Sequence, residues 1–510
     1  MKRSILIICA LVASLAAVAQ SPKSEKLDNK KLNAKPVLTG YSLTWDRFNQ
    51  VSPDLMCLGR IKTLPSDQLK SDNWSIGCEC LDRDYGNFDK YRSYLRPLGI
   101  SHARIQSGWA RTEQKKGHYD FAWLDHIVDG MIAEGVKPWM CLCYGNPIYG
   151  GAEMNLGAKL FTDEKTMQGW LKYVEATVKH FEGRVDEFEI WNEANMGPNK
   201  HCWAEYAELL MRTSEVIRRV RPDAEIIGMC LSRNPIDFTQ KVLDIVKERG
   251  RIEDVMDWVS FHPYKNNPDI TNADIDDFVS VVRSYNPKWG LFDGESGCPA
   301  RLEWTHAMRH HEWTEYSQPK WHLRRMAGDW VRGIRYNLFT FVDLIYPNMQ
   351  QSFGLLCTSL EHDVVYKRPS YHAVRNMVNL LDNSVKPGGS LKFKAHTARD
   401  LKVEAVCDKS GKPMGAMLWF GDSTPSNDLC WESVTVVIDG LQIKGPVYVE
   451  PITGRVFDIP DLVDMNFGGR LKLPSLPLWD SPIFVLPRSK VNFDPIVSAP
   501  DNGKLPKSWY

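Results

Sequence analysis

The sequence lacks an excess of either charge: over 510 residues, 63 lysines and arginines balance 63 aspartates and glutamates. A chain without net charge has no long-range field that attracts polyanions, so nothing in the composition favours nucleic acid as a partner. Internal repeats are also missing, and 43% hydrophobic with 25% charged residues is ordinary globular usage. These absences exclude disordered and collagen-like chains and leave a large folded protein of two or three domains.

Long apolar runs are scarce, and the one at the N-terminus predicts export. The basic pair Lys2-Arg3 precedes an apolar run over residues 5–18 that ends in Ala-Val-Ala. This pattern is typical of a secretory signal peptide, here residues 1–19, and the run is too short for a membrane span. No other stretch is long enough to cross a bilayer, so we expect an exported protein, periplasmic or extracellular.

The cysteines do not form the pattern of a disulfide-stabilised protein. Of the 12 cysteines, Cys9 lies in the signal peptide, which leaves 12 − 1 = 11 scattered along a long chain. Cys78/Cys80 and Cys141/Cys143 have a spacing that places both thiols on one face of a strand. Such thiols can ligate a metal, but small buried strand residues are the more ordinary interpretation.

Residues 74–383 alternate short apolar runs with longer amphipathic segments. Strands that helices bury on both faces have this pattern. Eight such units predict an α/β fold, a (β/α)8 TIM barrel whose active site lies at the C-terminal ends of the strands. The eight predicted strands are Ser75–Cys80, His102–Gln106, Lys137–Cys143, Glu187–Trp191, Glu225–Met229, Trp258–His262, Gly290–Asp293 and Leu338–Val342.

The two flanks of the barrel have a different pattern. Residues 20–73 are expected to be a leader and a segment that either adds strands to the C-terminal domain or wraps the barrel. Turn formers from Ser384 to Ser390 end the helical periodicity. Over residues 384–510, short alternating runs predict a C-terminal antiparallel β-sandwich, which either binds carbohydrate or braces the barrel. Its predicted strands are Leu391–Ala395, Leu401–Val406, Met414–Phe420, Ser433–Ile438, Val447–Glu450 and Ile483–Leu486.

A first candidate carboxyl stands at the end of the fourth predicted strand. The apolar residues there give way abruptly to Trp191-Asn192-Glu193. Barrel packing does not require a carboxyl beside an aromatic ring at this place. A carboxyl in a partly dry site favours its neutral form, which suits it to protonate a leaving group. The alternative is that Glu193 caps the next helix or pairs with a surface cation.

A second candidate carboxyl, Glu295, follows the seventh predicted strand. It is flanked by Gly294 and Gly297, which leave room for a ligand to approach. Asp293 is the competing carboxylate in this segment. Strands four and seven lie across the barrel mouth from each other, so Glu193 and Glu295 can flank a single bond. Retaining glycosidases hold such a pair about 5–5.5 Å apart, one as acid/base and one as nucleophile.

Together these motifs resemble the signature of clan A glycoside hydrolases, which are retaining enzymes on a (β/α)8 barrel. Within the clan the chain is most similar to family 39, the β-xylosidase and iduronidase group, with family 5 next. The resemblance covers roughly residues 74–380 and, more loosely, the sandwich. The further motifs that carry it are Arg104…Trp109…Glu113…Gly117-His-Tyr-Asp120 and Ser260-Phe-His-Pro-Tyr264.

The resemblance implies a role for each matching residue. Glu193 would be the general acid/base and Glu295 the nucleophile of a double displacement. Asn192 would hydrogen-bond the sugar 2-hydroxyl. Arg104 would help to keep the nucleophile ionised, and Tyr264 would donate a hydrogen bond to it. Two carboxyls suffice for this chemistry, so we expect no metal and no organic cofactor.

Aromatic and imidazole groups at the strand ends are further candidates for sugar contacts. The insertion over residues 301–320 either forms a pocket wall that stacks on sugar rings or is an ordinary amphipathic helix. A wall of this kind would restrict action to chain ends, so we predict an exo-acting β-glycosidase for an oligo- or polysaccharide. The candidate substrate-binding residues besides Arg104, Asn192 and Tyr264 are Trp109, Tyr144, His262, Trp304 and His306.

Three alternatives remain. A zinc hydrolase would use His306 and His310, but the nearby run from His311 to Glu315 has Glu where the H-E-x-x-H motif requires its second His. A serine hydrolase is disfavoured because residues 294–297 do not have the G-x-S-x-G spacing. A non-catalytic carbohydrate-binding barrel is the third, because fold alone does not prove chemistry.

Overall fold

The computed structural model describes residues 42–150, 153–460 and 465–496. The predicted signal peptide over residues 1–19 and most of the leader therefore lie outside the described residues. The described chain begins with helix α1 (Leu43–Gln50), whose N-cap Ser42 accepts hydrogen bonds from the first turn, and with strand β1 (Cys57–Ile61). None of the helices in the described residues combines the length and apolar character that crossing a membrane requires.

Eight parallel strands, β2 to β9, close into a barrel in the order of the chain. The ring closes because β2 pairs with both β3 and β9. The predicted barrel is thus confirmed. Its strands are β2 (Trp74–Gly77), β3 (His102–Gln106), β4 (Lys137–Leu142), β5 (Glu187–Ile190), β6 (Glu225–Ser232), β7 (Trp258–His262), β8 (Gly290–Ser296) and β9 (Arg335–Leu338).

The eighth strand begins earlier than its sequence predicts. The apolar run over residues 338–342 indicates a strand there, but β9 covers the more polar Arg335–Leu338. Arg335 is stabilised by an ion pair with Glu187, and the Asn337 side-chain amide donates to the Gly294 carbonyl oxygen. Polar side chains that find partners inside the barrel therefore hide the strand from a search for apolar runs.

Helices on the outside of the barrel follow the predicted amphipathic spacing. In the helix Glu164–His180, the regularly spaced apolar residues Trp170, Tyr173 and Val174 are buried, and Asp163 caps the N-terminus by accepting from the Thr166 backbone N–H. The α-helices after α1, including the helix just described as α6, are α2 (Phe88–Tyr91), α3 (Leu95–Leu98), α4 (Trp109–Thr112), α5 (Ala122–Ala133), α6 (Glu164–His180), α7 (Trp203–Val220), α8 (Ile236–Glu248), α9 (Asn272–Tyr285), α10 (Ser317–Val331) and α11 (Pro369–Leu380).

The C-terminal region forms an eight-stranded and a four-stranded antiparallel sheet, as the sandwich prediction requires. Strand β1 pairs with β20 (Arg455–Asp458) and β24 (Phe493–Pro495), so this early segment adds a strand to the larger sheet. Two hairpins come first, β10 (Leu344–Tyr346) with β11 (Met349–Gln351) and β12 (Leu356–Thr358) with β13 (Val364–Lys367). The sheet strands are β14 (Lys386–Ser390), β15 (Phe393–Ala395), β16 (Leu401–Cys407), β17 (Pro413–Phe420), β18 (Glu432–Asp439), β19 (Pro446–Glu450), β20 (Arg455–Asp458), β21 (Asn466–Phe467), β22 (Arg470–Leu478), β23 (Ile483–Pro487) and β24 (Phe493–Pro495).

Buried polar contacts join the barrel to the C-terminal sheets. Asp269, which follows β7, accepts hydrogen bonds from Arg324 Nε at 2.6 Å and from Trp419 Nε1 at 2.9 Å. Lys320 Nζ donates to Asp480 Oδ1 at 2.7 Å. Because Arg324 and Lys320 both lie on α10, the C-terminal sheets fix the helix that follows the 301–316 segment.

Candidate active site

The barrel interior is built in layers from alternate strands, and these layers differ in polarity. Trp139, Ile227 and Phe292, from β4, β6 and β8, form one apolar cluster. The Trp139 indole N–H donates to Ser75 Oγ of β2 at 2.8 Å, which completes a layer of four strands. Strands β3, β5 and β7 contribute a second, polar layer. It consists of Arg104, Glu189 and Ser260, and a barrel core does not need it for packing.

Arg104 is the centre of the polar layer and is fully buried. Its Nε and Nη2 donate to Glu189 Oε2 at 2.9 and 2.6 Å. Its Nη1 donates to Glu295 Oε2 at 2.8 Å and to Glu79 Oε1 at 3.1 Å. Burial by itself disfavours the guanidinium charge, but the carboxylates of Glu189 and Glu79 raise its pKa well above the ordinary value. One cation therefore holds three carboxyl groups.

Glu295 lies at the end of β8 with hydrogen bonds to both oxygens. Oε2 accepts from Arg104, and Oε1 accepts from the Tyr264 hydroxyl at 3.0 Å. A Cβ atom on Gly294 would come within 2.1 Å of Ser260 Oγ, so only glycine lets the chain pass over the polar layer here. The predicted contacts of Glu295 with Arg104 and Tyr264 are thus present in the geometry.

Asp293, the competing carboxylate, belongs to a different environment. Its Oδ2 accepts from Ser296 Oγ at 2.7 Å, and its neighbours are Asp329 and Arg325 of α10. Burial and the Asp329 charge raise the pKa of Asp293 well above its ordinary value, although Arg325 acts in the opposite direction. Asp293 therefore faces the helical layer, and Glu295 is the carboxyl of this segment at the barrel mouth.

Glu193 is aimed into the barrel mouth by an unusual backbone path. Trp191 and Glu193 have φ of +70° and +50°, the left-handed region that non-glycine residues rarely adopt. Glu193 is buried, and its Oε1 lies 3.1 Å from His262 Nδ1. The alternatives of a helix cap and a surface ion pair do not describe this geometry. Strain in such a turn is maintained where the surrounding structure requires the side chain at one place.

The two glutamates face each other across a short gap. A carboxylate oxygen of Glu193 and one of Glu295 lie within 4.8 Å of each other, and a His262 ring nitrogen lies within the same distance of both. Retaining glycosidases hold their carboxyl groups about 5–5.5 Å apart, whereas inverting enzymes need about 6.5–9.5 Å to admit a water. An oxygen-to-oxygen distance below 4.8 Å is shorter than the gap that an inverting pair needs.

His262 links the two carboxyls. Its Nδ1 is 3.1 Å from Glu193 Oε1 and 3.9 Å from Glu295 Oε2, and its Nε2 is 3.5 Å from Cys230 Sγ. Burial alone lowers the pKa of the imidazole, but the Glu295 carboxylate, Cys230 and the hydrogen bond to Glu193 raise it well above its ordinary value. His262 is thus suited to donate to Glu193 from Nδ1.

Asn192 and Tyr144 form a hydrogen-bonded pair beside the carboxyls. Asn192 Oδ1 accepts from Arg104 Nη2 at 2.7 Å, which fixes the orientation of the amide. Its Nδ2 donates to the Tyr144 hydroxyl at 2.9 Å. The Asn192 nitrogen carries a second hydrogen, so the side chain can donate to a ligand without giving up either contact.

The mouth carries a wall of side chains, a row of contacts from Tyr144 to His306, that the sequence does not reveal as a group. The Arg83 guanidinium lies over the rings of Tyr85 and Tyr144, 5.5 and 5.2 Å from their centroids. Tyr85 packs on Tyr346 at 4.6 Å, and Tyr346 packs on His306 at 5.4 Å. The predicted substrate-binding residues Tyr144 and His306 are therefore two ends of one wall.

Trp109 and Trp304 lie outside this wall. Trp109 is fully buried, and its indole N–H donates to Glu113 Oε2 at 2.6 Å. It backs a cavity of about 180 Å³ beside Tyr144 and Arg83, but it offers no exposed ring to a sugar. The position of Trp109 after a strand does not show whether its ring faces a ligand or the core. Trp304 is 70% exposed and lies 6.2 Å from the His310 ring.

The 301–316 segment is a loop and not a helix, which bears on the zinc alternative. His306 and His310 both have positive φ, and helix α10 begins only at Ser317. Without a helix, the i, i+4 spacing does not bring the two imidazoles to one face. His306 instead packs on Tyr346, and His310 packs on Trp304.

Two other groups of possible metal ligands occur in the described residues: Glu189, Cys230 and His262, and Glu193, His262 and Glu295. The first group already surrounds a cation, because Glu189 Oε2 accepts two hydrogen bonds from Arg104 and Cys230 Sγ lies 3.6 Å from Arg104 Nη2. A metal ion there would meet the guanidinium charge at close range. Glu189 and Cys230 are therefore suited to contact the Arg104 guanidinium and not a metal ion.

Sequence reasoning missed Glu79, Arg83 and Glu189. The signal for Glu189 is present, because a glutamate in the short apolar strand Phe188-Glu-Ile has no reason to be buried without a partner. Glu79 gives a weaker signal because it stands between two cysteines just after a strand. Arg83 gives no signal, because the run Leu-Asp-Arg-Asp over residues 81–84 is typical of a solvent-exposed turn.

Comparison with known proteins agrees with the barrel and its motifs. Residues 76–281 match the family model described as Glycosyl hydrolases family 39. A beta-xylosidase of Geobacillus stearothermophilus is 26% identical over 165 residues, which cover 30% of this chain and 32% of the relative. The alignment with this curated relative thus spans about a third of its length.

Two solved structures share the fold. A family 39 glycoside hydrolase from the gut symbiont Bacteroides cellulosilyticus WH2 has a TM-score of 0.62 at 19% identity, covering 84% of this chain and 83% of the other. A monomeric beta-xylosidase from Caulobacter crescentus CB15 has a TM-score of 0.53 at 15% identity, covering 84% and 98%. At these identities the likeness shows the architecture alone. The family match over residues 76–281 makes the barrel of this chain similar to family 39 of the glycosyl hydrolases.

Proposed function

We propose that this protein is a retaining glycoside hydrolase that cleaves an O-glycosidic bond through a covalent glycosyl-enzyme intermediate. The observation that carries the proposal is the pair of buried carboxyls, Glu193 and Glu295, with oxygens within 4.8 Å at the mouth of the barrel. The match of residues 76–281 to the model of glycosyl hydrolases family 39 supports the same reaction class.

In the first step, a Glu295 oxygen attacks the anomeric carbon of the sugar. The bond from that carbon to the leaving oxygen breaks as Glu193 transfers its proton to that oxygen. The negative charge of Glu295 is consumed in the new ester bond. Arg104 and Tyr264 hold the two Glu295 oxygens before the attack, so the carboxylate needs no reorientation.

In the second step, Glu193 acts as a base toward water. It takes a proton from the water, whose oxygen attacks the same anomeric carbon from the face that the leaving group vacated. The ester bond breaks and Glu295 regains its charge. Two inversions at one carbon give net retention. His262, hydrogen-bonded to Glu193, orients the acid/base in both steps.

Asn192 is suited to bind the sugar 2-hydroxyl. Its amide orientation is fixed by Arg104, and its nitrogen lies beside the Tyr144 hydroxyl. A hydrogen bond at the 2-hydroxyl strengthens as charge develops on the sugar in the transition state. Contacts that strengthen only there raise the rate and not merely the affinity.

We propose a β-linked, chain-end substrate within this class. The similarity to a beta-xylosidase supports the β-linkage. The loop over residues 301–316 supports the exo mode, because His306 of this loop packs on Tyr346 in the wall at the mouth. The carbohydrate is the only partner that this chemistry requires, and the basic, then apolar N-terminal pattern supports export as the route to a periplasmic or extracellular location.

A panel of α- and β-nitrophenyl glycosides that includes the β-xyloside tests the proposal. We expect release of nitrophenol from at least one β-glycoside, and proton NMR of the first-formed sugar should show the substrate's own anomer. Initial formation of the opposite anomer would contradict the double displacement. Sugar binding by calorimetry without any turnover would instead favour a non-catalytic carbohydrate-binding barrel.

A further inference from the structure

Glu79 is a buried carboxyl at the barrel mouth to which the proposed reaction assigns no step. It follows β2 by two residues and is 2% exposed. A Cβ atom on Gly77 would lie 2.9 Å from Glu79 Oε1 and 3.3 Å from the Leu338 carbonyl oxygen. The glycine thus leaves the space into which the Glu79 side chain folds back over the end of its own strand.

Glu79 and the nucleophile share one nitrogen atom. Arg104 Nη1 donates to Glu79 Oε1 at 3.1 Å and to Glu295 Oε2 at 2.8 Å, which uses both of its hydrogens. Glu79 Oε2 is buried and has no hydrogen-bond partner among the described residues. An ionised carboxylate with an unpartnered buried oxygen is costly, whereas a neutral carboxyl leaves less charge to solvate.

The charges around Glu79 also favour its neutral form. Arg104 on β3 is the cation, while Glu189 on β5 and Glu295 on β8 already supply two negative charges to it. Burial raises the pKa of Glu79 to about 7, with the Glu295 and Glu189 charges adding to it and Arg104 opposing it. The other titratable neighbours, Tyr91 of α2 and Cys78 and Cys80 of its own segment, are neutral groups whose pKa burial raises.

We propose that Glu79 is a positioning residue for the nucleophile: as a neutral acid it holds Arg104 Nη1 in place, so that the guanidinium charge is left to Glu189 and Glu295. The inference rests on the proposed function, because it gives Glu295 the nucleophile's role. Ionisation of Glu79 at higher pH places a third negative charge on one cation and draws Nη1 away from Glu295. When Glu295 becomes an ester, it gives up its charged contact with Arg104 Nη1. Glu79 Oε1 still accepts a hydrogen bond from that nitrogen and holds it in place.

Carbon NMR of protein labelled at the glutamate carboxyl carbon tests the protonation state directly. Comparison of wild type with Glu79→Gln assigns the Glu79 signal. We expect that signal to titrate with a midpoint near 7. A Glu79 midpoint at or below 5 would overturn the proposal, because Glu79 would then be ionised at neutral pH.

Glu404→Gln is the matched control. Glu404 lies on β16, is buried, accepts from Ser390 Oγ at 2.8 Å and has an Oε2 without a partner in the described part of the chain. It resembles Glu79 in burial but not in location. The variant should leave the Glu79 and Glu295 signals in place. Movement of either signal in Glu404→Gln would mean that loss of any buried acid perturbs the site, which contradicts a specific link through Arg104.

The pH profile of kcat/KM on the best nitrophenyl glycoside provides the second readout. Glu79→Gln keeps a neutral acceptor for Arg104, so we expect its kcat/KM to lie within about threefold of wild type at pH 6. Wild-type kcat/KM should fall at least threefold relative to the variant between pH 6 and 8. A constant ratio across that range would also overturn the proposal.

The NMR titration and the pH profile of kcat/KM separate this inference from the proposed function. If no glycoside is hydrolysed, the proposed function fails, and the titration still decides whether Glu79 is the neutral partner of Arg104. Glu79→Asp, which is one methylene shorter and keeps an acid, should withdraw from Nη1 and lower kcat more than Glu79→Gln does. Equal kcat in the two variants would contradict a positioning role.

Discussion

The two adjoining layers of the barrel interior come from alternate strands of one barrel and depend on different interactions. The apolar layer of Trp139, Ile227 and Phe292 is packed like any core, with the Trp139 and Phe292 rings 4.9 Å apart. The polar layer places Arg104 against Glu189 and leads directly to the paired glutamates. Stability is obtained in the first layer by filling volume, and in the second only if each charge has its partner.

This difference between the layers shows that the candidate chemistry depends on the polar layer. In the apolar layer a hydrophobic residue of similar size can replace another at modest cost. In the polar layer each atom of Arg104 that can donate to the site is committed, so no conservative replacement exists. Variants in the two layers should therefore separate stability from chemistry, and the predictions below test that separation.

The largest effect is expected at the paired carboxyls. Glu193→Gln and Glu295→Gln should each lower kcat by at least about 10³-fold, because proton transfer and nucleophilic attack cannot be replaced by an amide. The free energy of unfolding should change by less than about 1 kcal/mol. Glycoside hydrolysis and urea denaturation check both parts, with Glu404→Gln as control. Full turnover in either variant would remove that carboxyl from the mechanism.

Arg104→Met should come next, affecting chemistry and stability together. It leaves Glu79, Glu189 and Glu295 without their shared cation, which we expect to lower the free energy of unfolding by about 3–5 kcal/mol. The rate should fall by about 10²-fold or more because Glu295 loses a charged donor. Arg335→Met is the matched control, since Arg335 pairs with Glu187 at the start of β5. Equal loss of activity in the two variants would break the distinction between the layers.

Phe292→Leu should affect only stability. Phe292 is fully buried in the apolar layer, and a smaller side chain there leaves a partly filled space that costs about 1–2 kcal/mol. The Glu193 and Glu295 contacts are made by other side chains, so kcat/KM should stay within about twofold. Thermal denaturation and the same glycoside assay measure the two quantities. A tenfold loss of activity would show that the layers are coupled.

The smallest effect is expected at the exposed rim. Trp304→Ala removes a ring that is 70% exposed, so the free energy of unfolding should move by less than about 0.5 kcal/mol. Loss of a stacking contact worth about 0.5–1.5 kcal/mol should raise KM for an oligosaccharide two- to tenfold. Phe467→Ala, an equally exposed aromatic on β21, is the control. The same KM in both variants would remove Trp304 from the binding surface.

The positions of the strands could largely be predicted from the sequence, whereas the partners of their polar side chains could not. The bounds of β3 and β7 coincide with the predicted ones, because strands that are buried along their length differ in pattern from the segments around them. The bounds of β9 do not coincide, because Arg335 and the amide nitrogen of Asn337 have partners that are distant in sequence. Trp109 shows the same limit, since a tryptophan after a strand gives no sign of whether its ring faces a ligand or a core.

The sequence by itself determined the eight units of the barrel and the abrupt change from apolar to acidic residues at the ends of the fourth and seventh strands. Those signals are local, because burial and alternation act over a few neighbouring residues. Only the tertiary structure decided that Glu193 and Glu295 face each other within 4.8 Å, and that Arg104 is shared with Glu79 and Glu189. Barrel closure creates these distances between residues far apart in the chain, and short-range patterns carry no record of them.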